Sequence, residues 1–274
     1  MAHPGTWRLT DADWNSWPDG LTDAQLWQQT ASLGLEGIEL GVYDAAVQLD
    51  PARLAALPDS VPVTDVLLSL TADRWPGGAF SGDVDRLMEQ VRACAQVCRE
   101  LGLPVLGIWP GADPVGADIV RAAAQVVDAA GDVRVAVEYK PGTAVADCAQ
   151  ALELCAAVPG LGVLLDTGHA YAAGEDPARV VEQLGDLLLH CHLGDASVGG
   201  SDDDLPCGRQ HDLGTFVAAL DATGWRGTAS FDLYGAVSSG LVTGEQAVRE
   251  SRDHVLSRRM RGDALWGDAR RAGP

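Results

Sequence analysis

Short, nearly continuous apolar runs alternate along the chain with longer segments in which apolar residues recur at helical spacing. The runs lack the strict apolar–polar alternation of a strand that has one face in water. Nearly continuous apolar runs of this length are typical of parallel strands that are buried on both faces. Seven strands are predicted on this basis: residues 34–42, 62–70, 104–111, 133–141, 161–169, 187–195 and 227–235.

The segments between these runs predict helices, and some carry recognisable start signals. Ser81 is the expected N-cap of one long helix, and Asp176 caps another whose first turn contains Pro177. A polar, Gly-rich stretch from 195 to 210 predicts a loop at the rim of an active site. The predicted helices are residues 23–33, 83–101, 115–129, 144–158, 176–187, 211–224 and 243–259.

The order of these elements predicts the fold. The N-terminal stretch TWRLTDADW, residues 6–14, is the weakest strand candidate and would be the eighth. Eight strand–helix units in 274 residues predict an α/β fold, a closed (β/α)8 TIM barrel, with residues 1–274 as a single domain. The rival is an open doubly wound sheet, which usually carries a Gly-rich fingerprint after its first strand. We find no such fingerprint in the sequence.

Composition and charge narrow the function classes. No run approaches the roughly 18 uncharged apolar residues of a membrane span. The N-terminus lacks the basic and apolar regions of a signal peptide, so we expect a cytoplasmic protein. With 39 acidic and 19 basic residues, the chain has a formal charge of −20 and would repel a nucleic acid. The six cysteines lack zinc-ribbon spacing, and we expect them to be free and buried.

Polar side chains cluster where the predicted strands end, which is where a closed barrel builds its active site. Glu138 and Lys140 lie two apart on one strand, and His190 and His192 lie two apart on another, so each pair shares a face. The strand-end residues that could carry chemistry are Glu39, Trp109, Glu138, Lys140, Asp166, His169, His190, His192, Asp195 and Asp232.

Several carboxylates that converge on one barrel mouth would repel one another unless they are protonated or bridged by a cation. A mixed set of carboxylate oxygens and an imidazole nitrogen suits Mn²⁺, Mg²⁺ or Co²⁺ better than a soft thiolate site does. The sequence therefore predicts a divalent metal site, with Mn²⁺ preferred. Its predicted ligands are Glu138, Asp166, His192 and Asp232.

Each of these strand-end residues also has a structural interpretation when it is taken alone. Asp166 could cap a helix, and His190 could be a core histidine bonded to the backbone. Glu39 could hydrogen-bond either a substrate hydroxyl or a ligand histidine. Trp109 could be core packing rather than part of the wall of a binding site, and Lys140 could extend to solvent. The joint pattern at one rim, rather than any single residue, favours the metal site.

Five motifs occur in order along residues 20–255: GLEGIEL, VAVEYKP, LLDTGHAYAAGEDP, HCHLGD and GRQHDLGTFVAALDATGWRGTASFD. They resemble the xylose isomerase-like TIM barrel family, in the AP endonuclease 2 superfamily, which includes sugar isomerases, ketose 3-epimerases, inosose dehydratase and endonuclease IV. The resemblance implies that the four predicted ligands hold a metal. It also implies that His169, Asp195 and Arg209 bind substrate hydroxyls or support the ligands.

Two features depart from the pattern of the family that the motifs resemble. Asp232 stands where the epimerases typically have glutamate, and its shorter side chain affects its expected role as a base. The loop PCGRQHD carries Gln210 and His211 where small or apolar residues are usual.

We therefore expect a divalent-metal-dependent isomerase or epimerase of a sugar, sugar-like polyol or keto-sugar, acting through a metal-bound enediolate or a hydride shift. Glu138 and Asp232 are the expected bases, and Lys140 is expected to stabilise the developing oxyanion. The substrate-binding set is His169, Asp195, Arg209, Trp109 and Glu39. The alternative is a lyase or dehydratase on a keto-sugar, inosose or glycoside with the same site.

Two other function classes are disfavoured. The acidic charge argues against a phosphodiesterase that acts on DNA. Unused buried acids would cost stability, which argues against a non-catalytic binding module. The expected partners are a small carbohydrate and a second copy of the chain in a homodimer, with no nucleic acid and no membrane.

Overall fold

The computed structural model describes residues 7–197 and 201–271. The strands in this part of the chain are β1 (Arg8–Ala12), β2 (Ile38–Val42), β3 (Val63–Ser69), β4 (Val105–Trp109), β5 (Arg134–Glu138), β6 (Leu161–Asp166), β7 (Leu188–Leu193), β8 (Asp195–Ser197), β9 (Ser201–Leu205) and β10 (Thr228–Phe231). Eight of them are parallel and close a barrel in the order β1-β10-β7-β6-β5-β4-β3-β2. This confirms the predicted (β/α)8 TIM-barrel fold. The other two, β8 and β9, pair as an antiparallel hairpin.

The N-terminal segment supplies the strand that closes the barrel. β1 pairs with β10 through Leu9 opposite Ala229, and with β2 through Ala12 opposite Glu39. Trp7 and Leu9 are almost fully buried in the main hydrophobic core. These two apolar side chains explain why so short a segment is held as a strand, within the predicted stretch 6–14.

Helices connect the strands and cover the outside of the barrel. The helices in the described ranges are α1 (Asp23–Ser32), α2 (Ala45–Gln48), α3 (Pro51–Ala56), α4 (Val84–Leu101), α5 (Val120–Ala130), α6 (Cys148–Ala157), α7 (Thr167–Ala172), α8 (Pro177–Leu184), α9 (Gly214–Thr223), α10 (Tyr234–Ser238) and α11 (Gly244–Arg271). The predicted start of α8 is confirmed: the Asp176 carboxylate accepts the N–H of Ala178, and Pro177 opens the first turn.

The predicted cap of one helix and the predicted start of another were wrong. The cap of α4 is Asp83, whose carboxylate accepts the N–H of Arg86 at 3.1 Å, whereas the Ser81 hydroxyl bonds the Asp113 carboxylate. The helix predicted from 115 begins at Val120, because a turn with Gly116 at φ 81° comes first. Only a backbone with positive φ makes that turn, and glycine adopts it without strain.

At the mouth of the barrel, the secondary structure of three segments differs in part from the predicted one. The strand predicted for 161–169 stops at Asp166, whose side chain caps α7. The strand predicted for 227–235 stops at Phe231, and α10 follows it. The loop predicted for 195–210 contains the hairpin of β8 and β9.

Apolar side chains pack mainly between the strands and the outer helices, and a small second cluster lies apart from this main core. All six cysteines are free and buried, as expected. Within the described residues, no helix has both the length and the apolar character that crossing a membrane requires. Polar side chains collect instead at the ends of the barrel strands, where the candidate site lies.

Candidate metal centre and adjoining cavity

Four side chains from four strand ends bring their ligand atoms within 4.8 Å of one another. They end or follow β5, β6, β7 and β10, so they are far apart in sequence and adjacent in space. Three of them are at most 3% exposed. This donor cluster consists of Glu138, Asp166, His192 and Asp232.

In both Asp166 and Asp232, one carboxylate oxygen accepts a hydrogen bond from the protein, and the other oxygen faces the remaining members of the donor cluster. Oδ1 of Asp166 accepts the backbone N–H of His169 at 2.8 Å. Oδ1 of Asp232 accepts the indole N–H of Trp14, also at 2.8 Å. Their Oδ2 atoms lie 4.0 Å and 3.7 Å from Nδ1 of His192. Both carboxylates are therefore oriented before any ligand arrives.

A hydrogen-bonded chain of buried side chains runs away from the cluster through the barrel. Nε2 of His192 lies 3.2 Å from Oε2 of Glu39, and Nε2 of His190 lies 2.8 Å from the same oxygen. Nδ1 of His190 contacts the Thr228 hydroxyl at 2.8 Å, and that hydroxyl bonds the Asp65 carboxylate at 2.7 Å. We call the five residues His192, Glu39, His190, Thr228 and Asp65 the buried relay.

The buried relay fixes how both imidazole rings are turned. An ionised carboxylate only accepts hydrogen bonds, so each histidine turns an N–H toward Glu39. Burial alone would raise the pKa of Glu39, but the charges and hydrogen bonds of His190 and His192 hold it below its usual range. His192 therefore presents its other nitrogen, Nδ1, to Glu138, 3.1 Å away.

The charges of the donor cluster favour a cation. Burial raises the pKa of Asp232, and the nearby charge of Asp166 raises it further. Burial alone would lower the pKa of His192, but Glu39 and Glu138 on its two sides hold it well above its usual value. Three carboxylates and one imidazole thus attract positive charge at one point, and this donor set fits a divalent metal ion.

A cavity of about 580 Å³ opens beside the donor cluster. Glu138 and Asp232 line it, together with three further residues that the sequence had singled out: Trp109, Lys140 and His169. Nζ of Lys140 lies 5.3 Å from the centre of the Trp109 ring. Nδ1 of His169 contacts the carbonyl oxygen of Tyr139 at 2.9 Å. A ligand in this cavity would meet carboxylates, an ammonium group and an indole.

The structure does not bring Glu39, Asp195 and Arg209 to the lining of this cavity. Glu39 is fully buried and bonds the two histidines, which is one of the two contacts that the sequence left open. The Asp195 carboxylate accepts the N–H groups of residues 210 and 211 and so holds the loop after the hairpin. Arg209 pairs with Glu250 at 2.8 Å.

Sequence reasoning missed several residues of the site. Asp65 and Thr228 lie in the middle or at the start of strands, where nothing in the sequence marks them as partners of His190. Tyr43 and Tyr234 line the cavity from loops and short helices that follow the strands. Trp14 also lines the cavity, and its indole N–H orients Asp232. A polar residue inside an otherwise apolar run was the one available signal for Asp65.

Comparison with known proteins places the chain in a family. The model of the xylose isomerase-like TIM barrel matches residues 27–258, so the chain belongs to this family. No curated protein sequence matches the chain significantly.

Solved structures with the same fold include enzymes of several kinds. A D-allulose 3-epimerase from Methylomonas sp. in complex with D-allulose is 20% identical, covers 94% of this chain and 99% of its own, and has a TM-score of 0.73. The probable 3-DHS dehydratase AsbF from Bacillus anthracis is 17% identical over 91% and 98%, with a TM-score of 0.70. The IOLI protein with a bound zinc atom is 18% identical over 92% and 97%, with a TM-score of 0.69. At these identities the likeness is one of fold.

Proposed function

We propose that this xylose isomerase-like barrel is a divalent-metal-dependent isomerase or epimerase of a sugar, sugar-like polyol or keto-sugar. One observation carries the proposal: three carboxylates and an imidazole converge at the edge of a cavity that Lys140 and His169 also line. The similarity of fold to a D-allulose 3-epimerase supports the same reaction class.

The donor cluster would hold the ion, for which we prefer Mn²⁺. A bound divalent ion polarises the oxygens of a carbonyl or hydroxyl group and acidifies the neighbouring C–H bond. Two anchors already orient the cluster: the backbone N–H of His169 for Asp166, and the indole of Trp14 for Asp232. Little of the ligand's binding free energy is therefore lost in ordering these side chains.

The chain's own residues supply the proton chemistry and the orientation of the substrate. Glu138 and Asp232 both line the cavity, so each can accept a proton from a carbon held there, one for each face of the sugar. The Lys140 ammonium stabilises negative charge that develops on a substrate oxygen. The Trp109 ring offers a flat apolar surface to the C–H face of a sugar.

The decisive experiment is metal analysis of the purified protein, followed by a panel of ketoses, aldoses and keto-inositols assayed by NMR in D₂O. Deuterium in an isomeric product indicates proton transfer, and an isomeric product without deuterium indicates a hydride shift. A product lighter by one water contradicts isomerisation and indicates the alternative, a lyase or dehydratase that uses the same residues. A protein that binds no divalent ion would refute the proposal.

We expect Glu138→Gln to lower turnover at least ~100-fold, because the amide loses both the negative charge and the capacity to accept a proton. The matched control is Glu153→Gln, the same change on the exposed face of α6, which should keep full turnover. Steady-state kinetics of the Mn²⁺-loaded proteins measures both. Full activity of the Glu138 variant would overturn the assignment of this residue.

A further inference from the structure

The two sides of the cavity differ in chemistry. Lys140 and three of the four donor residues belong to the side built by β5, β6 and β7, and the fourth, Asp232, follows β10, which lies between β7 and β1. The other side is aromatic, because Trp17, Tyr43 and Tyr234 follow β1, β2 and β10, which are neighbours around the barrel. We call these three residues the aromatic rim. A single ligand in the cavity can therefore meet polar groups at one end and ring faces at the other.

The aromatic rim presents its rings to the open mouth of the cavity. Trp17 is 40% exposed and Tyr234 is 43% exposed. The Trp17 and Tyr43 rings meet edge to face with their centres 5.6 Å apart, and the Arg74 guanidinium lies 4.4 Å from the centre of the Tyr43 ring. Clustered aromatic side chains that remain in water at a cavity mouth mark a surface that a ligand covers.

Local backbone features hold the aromatic rim in place. A side chain at Gly41 would bring its Cβ within 2.7 Å of the Trp14 ring and 3.2 Å of the Trp17 ring, so glycine makes room for both indoles. On the opposite edge, the Asp204 carboxylate accepts the N–H of Gly235 at 2.8 Å, directly after Tyr234. The rim is thus attached to β2 and to the hairpin rather than left on an unsupported loop.

The cavity is larger than a free monosaccharide needs. Even at the ~30 Å³ that one water molecule takes in the liquid, the twelve non-hydrogen atoms of a hexose fill only about 360 Å³. The cavity measures about 580 Å³, and a second one of about 320 Å³ adjoins it across Trp17 and Tyr43. A hexose seated at the donor cluster would therefore leave about 220 Å³ of the cavity unfilled.

We propose that the aromatic rim is an aglycone subsite, which binds an aromatic ring carried by the sugar. This inference rests on the proposed function, which seats the sugar part at the donor cluster. The substrate class is then an aryl-bearing keto-sugar, such as an aryl glycoside whose sugar carries a ketone away from the anomeric carbon. The exposed rings of Trp17 and Tyr234, with Tyr43 held under the Arg74 guanidinium, suit a flat aromatic ring, because stacking on them needs no hydroxyl partners.

The test compares phenyl and methyl glycosides of the same sugars (glucose, galactose and xylose) by titration calorimetry on the Mn²⁺-loaded protein. Burial of the phenyl group should make its glycoside bind about tenfold or more tightly than the methyl glycoside. Trp17→Ala should remove most of this gain, and Trp17→Phe should keep much of it. Val115→Ala, an exposed apolar position outside the cavity lining, should leave the gain unchanged.

Each of the other possible outcomes contradicts the aglycone subsite, the proposed function or both. Equal binding of phenyl and methyl glycosides that still depends on Mn²⁺ overturns the aglycone subsite and leaves the proposed function standing. If a disaccharide exceeds the affinity of the methyl glycoside by as much as the phenyl glycoside does, the group bound at the aromatic rim need not be an aromatic ring, and the proposal is wrong on that point. If no sugar or glycoside binds in a Mn²⁺-dependent way, the proposed function falls and this inference falls with it.

Discussion

Glu39 acts on the donor cluster without lining the cavity. Its carboxylate accepts from both His190 and His192, so it decides which nitrogen of His192 faces Glu138. A carboxylate behind a metal-binding histidine fixes the orientation of the ring and raises its basicity. Glu39 is fully buried, and His190 on its far side keeps it from turning to another partner.

We expect Glu39→Gln to weaken Mn²⁺ binding by roughly 10- to 100-fold, because a neutral amide is a poorer partner for the His192 N–H. Electron paramagnetic resonance of free Mn²⁺ measures the affinity without any substrate. Glu36→Gln, three residues earlier and half-buried, is the matched control and should bind as the unchanged protein does. An unaltered affinity in a folded Glu39 variant would show that this carboxylate does not act through His192.

The sequence predicted that the four donor residues would meet because each stands at the end of a strand in a barrel of known handedness and order. It could not predict the buried relay, since the contact between Thr228 and Asp65 depends on side chains that meet across the barrel interior. Arg209 was expected near the substrate from its motif alone, yet the turn after the hairpin directs it to Glu250.

At the scale of elements, helix starts depend on single hydrogen bonds. We expect Asp83→Ala to lower the free energy of unfolding by about 1 kcal/mol, because the N–H of Arg86 at the start of α4 loses its acceptor. Asp85→Ala removes the same charge in the first turn and should cost less. Urea unfolding of both variants makes the comparison, and equal losses would exclude Asp83 as the cap.

The elements themselves were predictable where apolar periodicity is strong, and their ends were not. All eight barrel strands lie inside predicted segments, and all but β1, whose sequence is RLTDA, belong to segments predicted from their apolar runs. The hairpin was missed because β9 has the sequence SDDDL, which carries no strand-like apolar pattern. β9 nevertheless pairs with β8, with Asp195 opposite Leu205, and Asp204 within β9 has a left-handed backbone conformation at φ 45°.

At the scale of the whole molecule, buried carboxylates link stability to pH. Asp11 is fully buried, and desolvation raises its pKa from 3.8 to about 6, although hydrogen bonds from Asn15, Ala12 and Thr30 oppose this. The folded protein thus holds the proton more tightly than the unfolded chain does. The contribution of Asp11 to stability is fully present below about pH 4 and is lost as the pH rises through about 6.

We expect Asp11→Asn to remove this dependence, because the amide keeps the shape of the protonated acid at every pH. Between pH 4 and pH 7 the free energy of unfolding of the variant should rise by about 2 kcal/mol relative to the unchanged protein. Urea unfolding across that range measures the difference, with Asp59→Asn at an exposed position as the control. Parallel pH profiles for the Asp11 variant and the unchanged protein would mean that β1 holds an ionised carboxylate without penalty, and the barrel interior would then have to supply compensating positive charge.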